Sequence, residues 1–223
     1  METQYINTLG QYLNGNNFLP ETDFYRGVSK EKYKLIASIG RLKGELNAIL
    51  QIEISLLDDF ERKLPLFSDV IPNNKIELMC YAQHHGLPTR LLDWTYNPLV
   101  ALYFAVCSDY DDNGVVYQAV PHNHLLVDSN NVFTAEYQSY IVPKLTNIRY
   151  KNQNGLFTIC SNPTQEFSNN VFKKYIVVAN SKKTILSQLH KIGINKSFIF
   201  STLNSLSSDI IDKYKQQYPY IKF

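Results

Sequence analysis

"YAQHHGLPTRLLDWTYNPLVALYFAV", Tyr81 to Val106, decides the fold. In its second half Asn97 suits an N-cap and Pro98 the first helical position, and the run from Leu99 to Val106 is apolar on every side. A helix without a polar face has to be buried, so this one predicts the centre of a core. The first half closes another helix. Asn74 and Glu77 stand at capping-box spacing upstream, and Gly86 with Pro88 supply the stop, which places His84 and His85 in the last turn. Between the two helices, "GLPTRLLDWT" reads as a connection in which Thr89, Arg90, Asp93 and Thr95 surround the only tryptophan, Trp94.

Upstream, the chain to about Leu19 reads as a short helix with Tyr5, Ile6, Leu9, Tyr12 and Leu13 on one face. "FYRG", Phe24 to Gly27, reads as a short strand whose glycine permits a turn or the close approach of another backbone. Arg41 to Leu64 carries apolar residues at helical spacing and predicts a long amphipathic helix. Downstream the pattern changes. "GVVYQAV" (114–120), "GLFTIC" (155–160) and "FKKYIVVA" (172–179) have the length and composition of strands, whereas 123–149 reads weakly. "SKKTILSQLHKIG" predicts a helix with Ile185, Leu186, Leu189 and Ile192 inward and Gly193 as its stop, followed by a strand "SFIFS" and a last helix from about Leu206. The order of elements predicts a single α+β domain over 1–223, its N-terminal helices packed on a mixed or antiparallel β-sheet.

Composition narrows the classes. With 223 residues and a formal net charge of +2, the chain has no long basic block, so the footprint of a dedicated duplex-DNA binder is missing. Cys80, Cys107 and Cys160 are far apart inside apolar segments, which fits buried thiols in a reducing, cytoplasmic compartment and neither a disulfide framework nor a metal site. The N-terminus lacks signal-peptide features, and no apolar run approaches the ~20 residues needed to span a bilayer. No membrane is expected as a partner. Abundant Tyr, Phe, Asn, Lys and Ile are the composition of an AT-rich bacterial or phage genome.

The polar residues of the connection have two readings. In the structural one, Arg90 and Asp93 pair across the segment, Trp94 fills the core and Thr95 caps the next helix. In the functional one, a guanidinium, hydroxyls and the free amides of a helix N-terminus converge on a phosphate. His84 and His85 are adjacent and point about 100° apart on a helix, so they cannot chelate one metal as an i, i+4 pair does. Either can act as an acid or base near neutral pH or as a charge at the helix end. Arg26 either surfaces or points into a cleft, and Gln153 in "RYKNQNGLFTI" is a turn residue or a site residue. No nucleophile elbow, Walker loop or dinucleotide glycine motif is present.

"FYRG", then "AQHHGLPTRLLDWTYNPLVALYFA", "RYKNQNGLFTI" and "KKTILSQLHKIGINKSFIF" resemble, from about Phe24 to Ile210, the FRG domain family of bacteria and phages. The name-giving motif falls on Tyr25, Arg26 and Gly27, and Glu53 stands at the family's glutamate. "FSTLN" (200–204) departs from the family's "FPDLD". The layout is also similar to that of ADP-ribosyltransferases: Arg26–Gly27 early, a hydroxyl-bearing turn at Thr89 or Thr95, a helix with Ala101 and Phe104, and a late polar group, Gln153 or Glu166. That resemblance implies NAD as substrate, with Arg26 and Arg90 on the phosphates, His84 and Asp93 placing ribose or substrate, and Gln153 or Glu166 at the reacting ribose. Tyr25, Gly27, Thr89, Trp94 and Thr95 are then cofactor-binding, no metal is needed, and the acceptor is a protein or nucleic acid of unknown identity. The role implied is that of a toxin or antiphage effector. Alternatives left open are a non-catalytic nucleotide- or nucleic-acid-phosphate module and a nuclease using His84 and Asp93.

Overall fold

The computed structural model describes residues 1–15, 23–120, 133, 139–142, 148–168 and 170–222. At its centre lies helix α4, which runs Pro98–Val106 and follows helices α1 (Leu9–Gly15), α2 (Leu46–Lys63) and α3 (Lys75–His84) in the chain. The Asn97 side chain accepts hydrogen bonds from the N–H groups of Leu99 and Val100 at 2.9 and 3.4 Å, so the cap expected from Asn97-Pro98 is formed. Val100 to Tyr103, Ala105 and Val106 are buried, as an all-apolar helix requires.

Seven strands among the described residues make one open mixed sheet: β1 (Glu2–Ile6), β2 (Phe24–Val28), β3 (Leu92–Thr95), β4 (Gly114–Ala119), β5 (Ser139–Ile141), β6 (Gly155–Ile159) and β7 (Val171–Val177). Their spatial order is β1-β7-β4-β2-β3-β6-β5, and the β1–β7 pair is parallel while the others are antiparallel. Helix α4 lies against β2 so closely that a Cβ on Gly27 would stand 1.8 Å from the Ala101 carbonyl oxygen; one on Gly114 would stand 2.1 Å from that of Ala105. The close backbone approach expected at the "FYRG" glycine is therefore real, and it sets the helix on the sheet.

The sheet is a poor ladder at one seam. Strand β2 pairs with β4 over five residues and β3 with β6 over four, but β2 and β3 meet at a single pair, Tyr25 with Thr95. The two halves are held together by apolar packing. On the α4 face, Tyr12, Tyr25, Val116, Tyr175, Ile185, Leu189 and Ile199 pack around that helix. On the opposite face Phe24, Val28, Leu35, Leu92, Trp94, Val115 and Phe167 form a second cluster. Leu57, Met79, Ala82, Leu91, Phe157 and Ile159 form a third, where α2 and α3 cover the β6 end.

Helices α5 (Ile148–Gln153), α6 (Lys182–Lys191), α7 (Lys196–Phe200) and α8 (Leu203–Gln217) complete a single α+β domain. Several expectations are corrected. Tyr5 and Ile6 belong to a strand, because residues 2–6 pair with β7, and the first helix begins only at Leu9. The connection "GLPTRLLDWT" ends in β3, whose Leu92 and Trp94 turn to one core while Asp93 is exposed; four residues are too few to show a period of two. "SFIFS" is helical: Asn195 caps it by accepting from Phe198 N–H at 2.9 Å, and Ile199 is buried. The amphipathic helix starts at Leu46 and not at Arg41, which closes a short 3-10 turn from Ile39. Ile192 is exposed because it sits just past the end of α6. Most of 123–149 lies outside the described residues. Among the described residues no helix is long and apolar enough to cross a membrane.

Candidate functional site

Where β2 and β3 part, a cavity of 260 Å³ opens. Tyr25, Arg26 and Gly27 line it from β2, and Asp93, Trp94 and Thr95 from β3. Val100 and Phe104 of α4, Gln83 of α3 and Gln153 at the end of α5 complete it. Residue parity shows that the lining comes from both faces of the sheet, since Arg26 and Trp94 lie on the side of Phe24 and Val28 while Gly27 faces α4. A second cavity of 280 Å³, lined by Arg41, Ser38 and the Gly86–Pro88 turn, shares Arg26, Gln83 and Asp93 with the first.

Arg26 spans the gap. One terminal nitrogen, Nη1, donates to the Asp93 backbone carbonyl and lies 3.6 Å from the Asp93 carboxylate. Its Nε is buried with no hydrogen-bond partner among the described residues. Burial pulls this guanidinium below the ordinary arginine range; Asp93 pushes back, and the charge of Arg41 adds to the pull. The Asp93 carboxylate also accepts from Gln83 Nε2 at 2.8 Å, and Gln83 Oε1 in turn accepts from the Thr89 hydroxyl. Ser38 fixes Thr89 through its backbone, accepting from the N–H at 3.0 Å and donating to the carbonyl at 3.2 Å. The result is a chain of contacts from a buried turn to an exposed carboxylate, which holds Asp93 in the cleft.

Gln153 Nε2 donates to the Ile199 carbonyl at 3.0 Å, while the Gln153 backbone carbonyl accepts from Thr95 Oγ1. Thr95 also accepts from Asn97 N–H at 2.9 Å, so one hydroxyl ties β3, α5 and the start of α4 together. Gln153 thus stands at a helix end just before β6 and not on a strand. Glu166, the other candidate for the late polar group, lines neither cavity; its carboxylate lies 3.9 Å from Lys34 and 3.4 Å from Leu35 N–H.

Three candidates sit elsewhere. Arg90 is the clearest correction, because its Nε and Nη2 donate to Glu53 Oε2 at 2.8 and 2.6 Å and Nη1 donates to the carbonyls of Phe133 and Ser161. Even its backbone N–H is bound by the other Glu53 oxygen at 2.7 Å. With every side-chain nitrogen occupied and 1 % of the side chain exposed, Arg90 faces no phosphate, and its carboxylate partner is Glu53, not Asp93. Thr89 is buried beneath Gln83. His84 lines neither cavity; its neighbour Gln83 takes the cleft-facing position on α3, and the His85 ring packs at a tilt against Tyr81, centroids 4.7 Å apart. Trp94 is mainly a core residue, its indole donating to Thr158 at 2.9 Å and its ring edge-on to Phe24 and Phe167. Gln83 and Arg41 have no signature in the sequence, since a glutamine and an arginine near helix ends carry no local signal. Among the described residues no group of three or more His, Cys, Asp or Glu could hold a metal.

Compared with known proteins, residues 21–114 match the model of the FRG domain. The matched stretch runs from the strand of Arg26 through Gln83, Arg90 and Asp93 to the start of β4, and Gln153 lies beyond it. No curated protein and no solved structure matches the chain.

Proposed function

We propose that the cleft between β2 and β3 binds NAD and that the protein breaks its nicotinamide–ribose bond, passing ADP-ribose to a macromolecular acceptor or to water. The observation that supports this reading is the convergence of Arg26, Asp93 and Gln153 on one cavity at a break in the sheet. A guanidinium matches the charge and fork geometry of a pyrophosphate. Asp93 is the one carboxylate lining either cavity among the described residues, and it suits the positive charge that develops on ribose as the bond breaks. In that step the C1′–N bond breaks and nicotinamide leaves as a neutral base with the bonding pair. The acceptor nucleophile then bonds to C1′ and releases its proton. Gln153, whose Nε2 is held by the Ile199 carbonyl, would offer its Oε1 to ribose hydroxyls, and Phe104 would offer an aromatic wall for nicotinamide. Thr89 and Arg90 act as foundation. In a bacterial or phage setting such an activity serves as a toxin or antiphage effector.

Incubation with NAD labelled in both nicotinamide and adenylate tests the reading. Free nicotinamide is expected with the wild type and not with Asp93→Asn. Absence of nicotinamide release across acceptors and pH would overturn it. A second reading, non-catalytic phosphate binding, is favoured by the fact that Gln83 and Arg26 already engage the Asp93 carboxylate. It predicts saturable NAD binding without turnover, lost in Arg26→Ala. A nuclease built on His84 and Asp93 loses its geometric basis, since His84 is not in the cleft.

A further inference from the structure

We infer that the second cavity is a diphosphate subsite, in which Arg26 at the floor and Arg41 at the rim grip the two phosphates of a nucleoside diphosphate group. The inference deepens the reading above and rests on its nucleotide, not on its chemistry.

Three observations carry it. First, Arg41 lines the cavity with an anchored side chain: its Nε donates to the Ile36 carbonyl at 3.0 Å, and no hydrogen bond from its terminal nitrogens to another described residue competes for them. Second, the cavity lining holds two guanidiniums, of Arg26 and Arg41, against the single carboxylate of Asp93. The lining is therefore one positive charge in excess, which an anion between the two arginines would offset; burial first and the charge of Arg41 after it lower the affinity of Arg26 for its proton. Third, Arg26 Nε is buried without a partner, a donor left unsatisfied at a cost that a phosphate oxygen would remove. The neighbouring hydroxyl offers no alternative, because Ser38 is already committed to Thr89 as donor and acceptor.

Size and continuity point to a diphosphate within a larger ligand. Each cavity, at 260 and 280 Å³, falls just short of the ~300 Å³ at which pockets for small molecules begin. They share Arg26, Gln83 and Asp93, so one elongated ligand can occupy both, with its anionic centre at the shared arginine.

Calorimetric titration of the full chain with ADP-ribose, inorganic pyrophosphate and adenosine tests this, alongside Arg41→Ala and Arg41→Lys. Arg41 is exposed at the end of a 3-10 turn, so neither change disturbs a core, and thermal unfolding confirms the fold. In Arg41→Ala, ADP-ribose and pyrophosphate are expected to bind at least ~10-fold more weakly, the ratio that one charge-assisted hydrogen bond gives, with partial recovery in Arg41→Lys. Adenosine binding is expected to be unchanged. The inference is overturned if Arg41→Ala binds ADP-ribose as the wild type does, if the wild type binds adenosine as tightly as ADP-ribose, or if it binds neither diphosphate. Nicotinamide release is read separately: the subsite stands if ADP-ribose binding depends on Arg41 while NAD stays intact, and it falls if NAD is cleaved with a KM indifferent to Arg41.

Discussion

Arg26 and Arg90 both stand beside aromatic and aliphatic residues in the segment matched to the FRG domain, and both end up largely buried, yet the protein treats them in opposite ways. Arg90 has a partner on every side-chain nitrogen: one Glu53 oxygen takes Nε and Nη2, two carbonyls take Nη1, and the other Glu53 oxygen holds the backbone N–H. Arg26 is under-partnered, with one carbonyl, one carboxylate oxygen at 3.6 Å and an orphaned Nε at the wall of a cavity. Hydrogen-bond saturation, and not residue type or burial, separates a structural arginine from one that can hold a ligand.

The largest effect that would break this contrast is on Glu53. Glu53→Ala leaves the Arg90 guanidinium buried and unpaired, which costs about 3–5 kcal/mol of stability. Urea denaturation should show the midpoint fall by that measure, and a loss below about 1 kcal/mol would mean that Arg90 finds other solvation and that the two arginines are alike. Arg26→Ala removes the Nη1 contacts to Asp93 together with an Nε that was never satisfied, so it is expected to cost far less than the loss of Glu53, about 1 kcal/mol or under. It should weaken ADP-ribose by ~10- to 100-fold in the same titration that tests Arg41, the range expected for charge-assisted bonds to phosphate.

A smaller effect concerns the support of the cleft. Gln83→Ala unties Asp93 from Thr89, leaving a buried hydroxyl without its acceptor, and is expected to cost about 1 kcal/mol in stability and, on the proposed NAD reading, to raise KM several-fold. On the same reading His84→Ala, one residue along, should leave KM and kcat as in the wild type. If the two variants behaved alike, α3 would present a different face to the cleft from the one described.

These contrasts also mark what the sequence could show. Asn97-Pro98 and the apolar run after it revealed α4 because cap and core signals are local, and "FYRG" revealed β2 and its tight glycine for the same reason. The partner of Arg90 lies 37 residues upstream on another helix, and no local pattern pairs them; only the family resemblance drew attention to Glu53. The four residues of β3 look like loop in the sequence because strand pairing, not period, defines them. The cleft itself exists because a ladder stops after one pair, a fact of register that composition does not encode.

Cys80 offers the finest probe of the boundary between the two regions, for it lies on α3 within the third core cluster while Asp93 bears on it from the cleft. Burial first, then the charges of Asp93 and Glu77, push its thiol up to about 12. Because the folded value lies above the unfolded one near 9, the buried thiol's contribution to stability is complete below about pH 9 and is lost as pH rises from there toward 12. At pH 8 Cys80 is therefore held almost entirely as the unreactive thiol. Iodoacetamide followed by mass spectrometry should therefore label the partly exposed Cys160 well before Cys80 in the native protein, and both at one rate in urea. Asp93→Asn removes a secondary cause and leaves desolvation, so it should quicken native Cys80 labelling only slightly. A large acceleration would show that Asp93 does not end at the cleft but also holds the α3 core closed, and the separation of a saturated foundation from an open site would then fail at that carboxylate.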